Sequence, residues 1–495
     1  MPPATLTLVI LASLTAAPSR APVAPKEASF AVQVRSPKAG LLDLRAFLTE
    51  AGRYSALLRP VELGRSLGTV LGADLLDPAS LAEAGVDANS PMTISFLRDG
   101  ATVVCLTAAK GGKALERARV TFAGAGQAAK LSYKGAQLEG AAVNNLWRAG
   151  VATKGTGLCA ASGGPDALRA LKSAVDAMAG AGLASTAASQ AATTLDAPVM
   201  GYLQGGGASG AVEIRGDKSG LKLVGRVVAN RALLDKPRDG DLLASFGPAA
   251  GPVSVRAMLS KKALSDPGGP VVRALEFLGA QACRGCEEPA KAVLDALRPE
   301  LTGSVGVVVK GIDVAASAAR GPMAPYYLVP HAYLLAVKDQ ERVRKALEAG
   351  LEKLKTQGAT IVAVESPEGI SQWSVAAGAR DVRVGVGRGA LFVANEPGAR
   401  DLAVAALEGA APSRPEHAVS FVMDGPLATA ALRRISVLDV PKSPEVAALF
   451  AFGVEAGSLL KAAGKITGFA DPDGNATRFE AGFKLAPEMT TQAQP

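Results

Sequence analysis

Aromatic residues make up only 4% of this chain, and Trp147 and Trp373 are its two tryptophans. So few rings leave little for the stacking platforms on which single-stranded nucleic acid rests. There is also no Lys/Arg run and no zinc-finger or RNA-binding signature, so the formal charge of +8 does not point to nucleic acid as a partner. The densest charged stretch, KDQERVRKALEAGLEKLKTQG at 338–358, mixes both signs at helical spacing. It reads as a solvated helix face. Histidine is scarcer still: His331 and His417 are the only two. Neither sits beside a nucleophile elbow or an H-E-x-x-H motif, which leaves little room for histidine-based hydrolysis. Cysteine occurs four times and never in the first 104 residues, which excludes a lipid-modified leader. Beyond the N-terminus no segment runs to about 18 apolar residues without a charge, the least a membrane helix needs. VAALFAFGVEAGSLL at 446–460 is interrupted by Glu455 and reads as a buried helix.

What is present is a globular composition, 48% hydrophobic and 20% charged. With so few rings, the core has to be built from Ala, Val and Leu. At roughly 150 residues per domain, the length suggests two to four domains. LTLVILASLTAA, Leu6–Ala17, is an uncharged apolar run of signal-peptide length. It departs from pattern in two ways. No Lys or Arg precedes it, and Pro18 and Pro22 follow the two plausible cleavage alanines, Ala17 and Ala21. A mis-assigned start or a retained anchor would account for either. The expectation is an exported chain in the periplasm or cell envelope, with an inner-membrane anchor at 6–17 as the alternative. The membrane would be touched only there.

Self-comparison suggests an approximate duplication. The strand SFAVQVR at 29–35 is matched by GPVSVRAML at 251–259, each followed by helical patterns. ATVVCLTAAKGGKALERARV at 101–120 is matched by HAYLLAVKDQERVRKALEAG at 331–350, a strand leading into a charged helix. Each half closes on a long hairpin, at 210–228 and 464–485. The expected fold is α+β: two tandem, approximately repeated domains, each a mainly antiparallel sheet with helices packed on one face. The boundaries follow as a leader and Pro/Ala-rich spacer at 1–28, a first repeat at 29–230 and a linker at 231–245. A second repeat at 246–487 and a tail at 488–495 complete the chain.

LAEAGVDANSPMTISF at 81–96 and VKDQERVRKALE at 337–348, with the signal-like start and the duplication, carry a resemblance. The chain resembles uncharacterised exported proteins of high-GC bacteria built from a duplicated α+β domain of unknown function. The resemblance implies no catalytic residues.

The most chemical-looking motif is QACRGCEEPA, which sets Cys283 and Cys286 in a C-x-x-C spacing. A thioredoxin-like couple should open a helix directly after a strand. Here the motif separates two helical patterns. A structural zinc needs two more ligands at fixed spacing, and the chain offers no second pair. In an oxidising compartment the pair reads as a local disulfide tightening a turn, with a free or redox-active pair and a metal site as alternatives. Cys105 and Cys159 fall in strands of the first half, and a bridge between them is the less favoured disulfide. GVGRG at 385–389 lacks the last step of a phosphate loop and precedes a strand, so it reads as a hairpin turn. DPDGN at 471–475 lacks the later ligands of a calcium loop and reads the same way. Catalytic, cofactor and metal sites are all read as none.

Two functional expectations remain. The first is a non-enzymatic exported scaffold or binding module for an envelope partner. The second is a carrier of apolar ligands such as lipids between sheet and helices. A hydrolase using His331 or His417 is the minor alternative.

Overall fold

The computed structural model describes residues 23–485, except 55–57, 110–111, 206–207, 230–232, 247–250, 266–294, 312–328, 378–379, 430–461 and parts of 184–190. The signal-like run, the C-x-x-C motif and the apolar stretch at 446–460 fall outside the described residues. The chain divides into two compact units, the first comprising the residues up to Gly52, Leu57–Lys218 and Lys222–Val228, and the second Arg53–Ala56, Ser219–Leu221 and the residues from Ala229 on.

In the first unit the strands are β1 (Ala28–Val34), β2 (Met92–Leu97), β3 (Ala101–Thr107), β4 (Gln127–Tyr133) and β5 (Ala136–Val143). They are followed by β6 (Leu146–Lys154), β7 (Gly157–Gly163), β8 (Val199–Gly205), β9 (Ala208–Asp217) and β10 (Gly220–Ala229). Their spatial order is β4-β5-β6-β7-β3-β2-β1-β8-β9-β10. Helices α1 (Pro37–Ala51), α2 (Lys113–Phe122) and α3 (Ala167–Met178) complete the longer elements. Asp166 caps α3 by accepting from the Leu168 amide, which satisfies one of the free donors of its first turn.

The apolar stripe of α3, with Ala167, Ala170, Leu171, Ala174 and Val175, packs against Val103, Cys105, Leu138, Trp147 and Cys159. Glu139 points to the opposite face from Leu138, because side chains alternate along a strand. There it meets Arg119 of α2. Helices therefore cover both faces of these strands. Gly140 and Gly150 make room for the buried Trp147 ring, since a Cβ on either would stand 2.5 or 3.0 Å from its Cε3.

The second unit contains β11 (Val253–Met258), β12 (Leu301–Val309), β13 (His331–Val337), β14 (Thr360–Ala363) and β15 (Ile370–Ala377). It continues with β16 (Arg380–Gly387), β17 (Ala390–Ala394), β18 (Val419–Asp424), β19 (Lys465–Asp473) and β20 (Ala476–Lys484). Their order is β14-β15-β16-β17-β13-β12-β11-β18-β19-β20, all antiparallel. Helix α4 (Gln340–Thr356) packs Val343, Leu347 and Leu351 on Leu335 and Val337. Helix α5 (Pro397–Glu408) packs Ala399, Ala403 and Leu407 on Ala332, Leu334 and Ala336. Those two sets alternate along β13, so α4 and α5 lie on opposite faces of it.

The expected α+β fold with two repeated domains and helices on one face is overturned. The chain is mostly antiparallel sheet, 42% strand against 29% helix, rather than helices packed on one face of a sheet. Two physical causes can be named. Strands β4 and β5, and later β14 and β15, add hairpin structure that the apolar pattern does not announce. The central strands are also covered on both faces, as their nearly continuous burial shows. The 231–245 stretch, expected to be a linker, sends Leu243 into the core of the second unit.

Arg119 donates two hydrogen bonds to Glu139, at 2.7 and 2.8 Å. This guanidinium holds the Glu139 carboxyl below its usual range. A depressed carboxylate stabilises the fold above the ordinary glutamate value, about 4.3, and stops doing so as pH falls through the folded value. Arg119→Ala is therefore expected to destabilise the protein at pH 7, with the deficit shrinking towards pH 3. Urea titrations at both pH values check this, and an equal deficit at the two would contradict it.

Candidate functional site

A single row of side chains crosses the middle of the first unit's sheet. Gln33 lies opposite Thr93, Thr93 opposite Cys105, and Cys105 opposite Cys159. Directly opposed residues in antiparallel strands point to the same face. All four thus face α3, where apolar residues would be the default. Cys105 and Cys159 form a disulfide with Cα atoms 4.1 Å apart, both side chains buried. Gln33 is held by Tyr202, whose hydroxyl donates to Oε1 at 3.1 Å. Burial pushes the Tyr202 phenol above its usual pKa, so it remains a donor through the neutral range.

Beside this row is a cavity of about 140 Å³. Its floor is Gln33, Thr93, Cys105 and Leu106, each at most 5% exposed. Its half-buried mouth is formed by Val23, Pro91, Thr107, Gly157 and Met178. No charged side chain lines it. The Thr93 hydroxyl finds no hydrogen-bond partner among the described residues, although Thr93 is 2% exposed. The hydroxyl lines the cavity, where water or a ligand can meet it.

The two histidines lie elsewhere, both in the second unit. His331 opens β13, donates through Nδ1 to the Val329 carbonyl at 2.7 Å, and stands edge-on to Tyr333. His417 stacks on Phe469 with ring centroids 3.8 Å apart. Its Nδ1 lies 2.8 Å from Asp471 Oδ2, while Asp471 Oδ1 accepts from the Ala418 amide at 2.8 Å. Asp471 fixes the imidazole, but Nε2 faces Glu416 at 3.6 Å rather than a hydroxyl or thiol. The arrangement clasps the 413–418 segment to β19. The neighbouring Arg256 serves the same segment, donating to the His417 carbonyl at 2.7 Å and pairing with Asp241.

Of the cysteines singled out by sequence, the structure brings Cys105 and Cys159 together. Cys283 and Cys286 lie outside the described residues. GVGRG forms the turn between β16 and β17, with Arg388 and Gly389 at φ of 49° and 78°. DPDGN joins β19 to β20, and among the described residues no group of three or more potential metal ligands gathers. No described helix is long and apolar enough to cross a membrane.

Gln33, Thr93, Thr107 and Met178 escaped the sequence reading. A signal was present, however. In PMTISF the alternate positions Thr93 and Ser95 are polar where a strand facing a helix should be apolar. Both are buried, and the Ser95 hydroxyl has no hydrogen-bond partner among the described residues. No family model, no curated protein and no solved structure matches the chain.

Proposed function

We propose that this protein works outside the cytoplasm as a non-enzymatic binding module of the bacterial cell envelope. The observation that carries the reading is the buried Cys105–Cys159 disulfide. Disulfides between core strands form and persist in oxidising compartments and are rare in the cytosol. The apolar run Leu6–Ala17 agrees with export. Ala24 is wholly buried, and its carbonyl accepts from the Leu183 amide at 2.9 Å. A cut after Ala17 or Ala21 would spare this packed residue.

The cavity supports binding rather than scaffolding alone, and it also narrows the ligand. Pockets for drug-sized ligands span roughly 300–1,000 Å³. At about 140 Å³ this cavity is too small for a lipid chain. The apolar-carrier reading therefore gains nothing from it. Osmotic-shock fractionation of the native host tests the location. Recovery with periplasmic or envelope markers, as a mature chain lacking the leader, is expected. Recovery as a full-length cytosolic chain would overturn the reading.

A further inference from the structure

We propose that the cavity beside the Cys105–Cys159 disulfide is a binding site for one neutral aromatic ring bearing a single hydroxyl, a molecule of phenol's size. This inference names the ligand class of the binding module and rests on that reading.

Size sets the first limit. An engineered apolar cavity of roughly 150 Å³ takes up benzene, so about 140 Å³ admits one six-membered ring and no second. Charge sets the next. The lining consists of an amide, two threonine hydroxyls, sulfur and hydrocarbon, with no group to neutralise an ionic ligand. A charged molecule would lose its hydration without compensation. The Met178 thioether at the mouth favours an aromatic partner over an aliphatic one, because sulfur makes favourable contacts with ring edges.

The polar anchor is the feature that selects a hydroxyl. Thr93 Oγ1 can donate once and accept twice, and no protein group among the described residues uses it. Gln33, beside it on the floor, already accepts from Tyr202. A phenolic hydroxyl reaching the floor would satisfy Thr93 while its ring filled the apolar volume under Met178. Half-buried residues at the mouth leave the ligand a way in, while the disulfide holds the two strands of the back wall in register.

The test uses purified, oxidised full-length protein, with phenol and benzene as calorimetric probes. Both are expected to bind at one site. Thr93→Val, which removes the hydroxyl and keeps the shape, should weaken phenol roughly tenfold and leave benzene nearly unchanged. Gly157→Ala supplies an independent variant at the mouth. Its new methyl would stand 3.5 Å from Met178 Cε and 3.8 Å from Sδ, and it should weaken both probes. Thermal melts establish that each variant is folded. If neither probe binds at millimolar concentration, the cavity holds only water and the proposal fails. Phenol affinity unchanged by Thr93→Val, or binding untouched by Gly157→Ala, would overturn it equally. Binding to purified protein and fractionation of cells are separate readouts, so the ligand site and the exported location can fail independently.

Discussion

Replacing Asp241 with alanine is expected to destabilise the second unit by about 3–5 kcal/mol, the cost of leaving a buried charge without its partner. Asp241 and Arg256 both have fully buried side chains. The Arg256 guanidinium donates to Asp241 Oδ2 through Nε at 2.9 Å and again through a terminal nitrogen. Its other terminal nitrogen donates to the His417 carbonyl. Asp241 Oδ1 accepts from the Leu243 amide at 3.0 Å, and its backbone exchanges two hydrogen bonds with Ser413. The pair thus ties the 241–246 segment and the 413–418 segment to strand β11. Alanine at 241 strands the guanidinium in a site that water does not reach. Replacing both partners with apolar residues of similar volume, as in Asp241→Leu with Arg256→Met, should recover most of the loss. Urea unfolding of the two single variants and the double variant decides the matter. A single-variant loss within about 1 kcal/mol, the range of an exposed ion pair, would contradict the assignment.

Cys105→Ala with Cys159→Ala should cost about 2–4 kcal/mol. The bridge closes a chain segment of sequence separation 54, and cross-linking a loop of that length removes much of the freedom of the unfolded chain. The replaced sulfurs also leave space in the α3-facing core, where Trp147, Leu138 and Ala174 are their neighbours. Reduction of the unaltered protein should lower its urea midpoint by a similar amount. Reduction should then have little further effect on the double variant. That comparison separates this bridge from any contribution of Cys283 and Cys286. A midpoint indifferent to both reduction and the double substitution would contradict the structural role.

Parts of this fold are legible in the sequence, and the illegible parts have physical reasons. The strand at 29–35 and the hairpins at 210–228 and 464–485 are found as β1, β9–β10 and β19–β20. The charged helix within 338–358 is α4, started by the Asp339 cap. These elements carry strong local signals, namely alternation, turn residues or mixed charge at helical spacing. Strand β4 carries none, because it lies at the sheet edge and is exposed or half-exposed throughout, so no apolar alternation marks it. Its turns were nonetheless written in the chain. Lys134-Gly135 and Asn144-Asn145 both adopt positive φ at the two central positions, the conformation of tight hairpins. An Asn-Asn pair is a turn signal that hydrophobic periodicity overlooks.

The candidate site was less legible still. Cys105 and Cys159 looked like core residues in separate strands, and spacing along the chain says nothing about register across a sheet. Only the pairing of β3 with β7 places them opposite each other. The C-x-x-C motif drew more notice because its two cysteines are close in sequence, which is a poor guide to what a sheet brings together. The Asp241–Arg256 pair was hidden for the same reason. Asp241 sits among DKPRDGD, a run whose polarity suggests a linker, and its partner lies on a strand that reads as ordinary.

The measurement that bears most directly on an exported, disulfide-braced binding module is differential alkylation of the protein taken from its native host. Thiols are blocked in the unreduced, unfolded chain, then reduced and labelled with a second reagent, and the peptides are mapped by mass. Cys105 and Cys159 are expected to carry only the second label, and unreduced digests to contain their peptides joined. If both instead carry the first label, the chain lives reduced, and the exported, oxidised setting proposed for it is wrong.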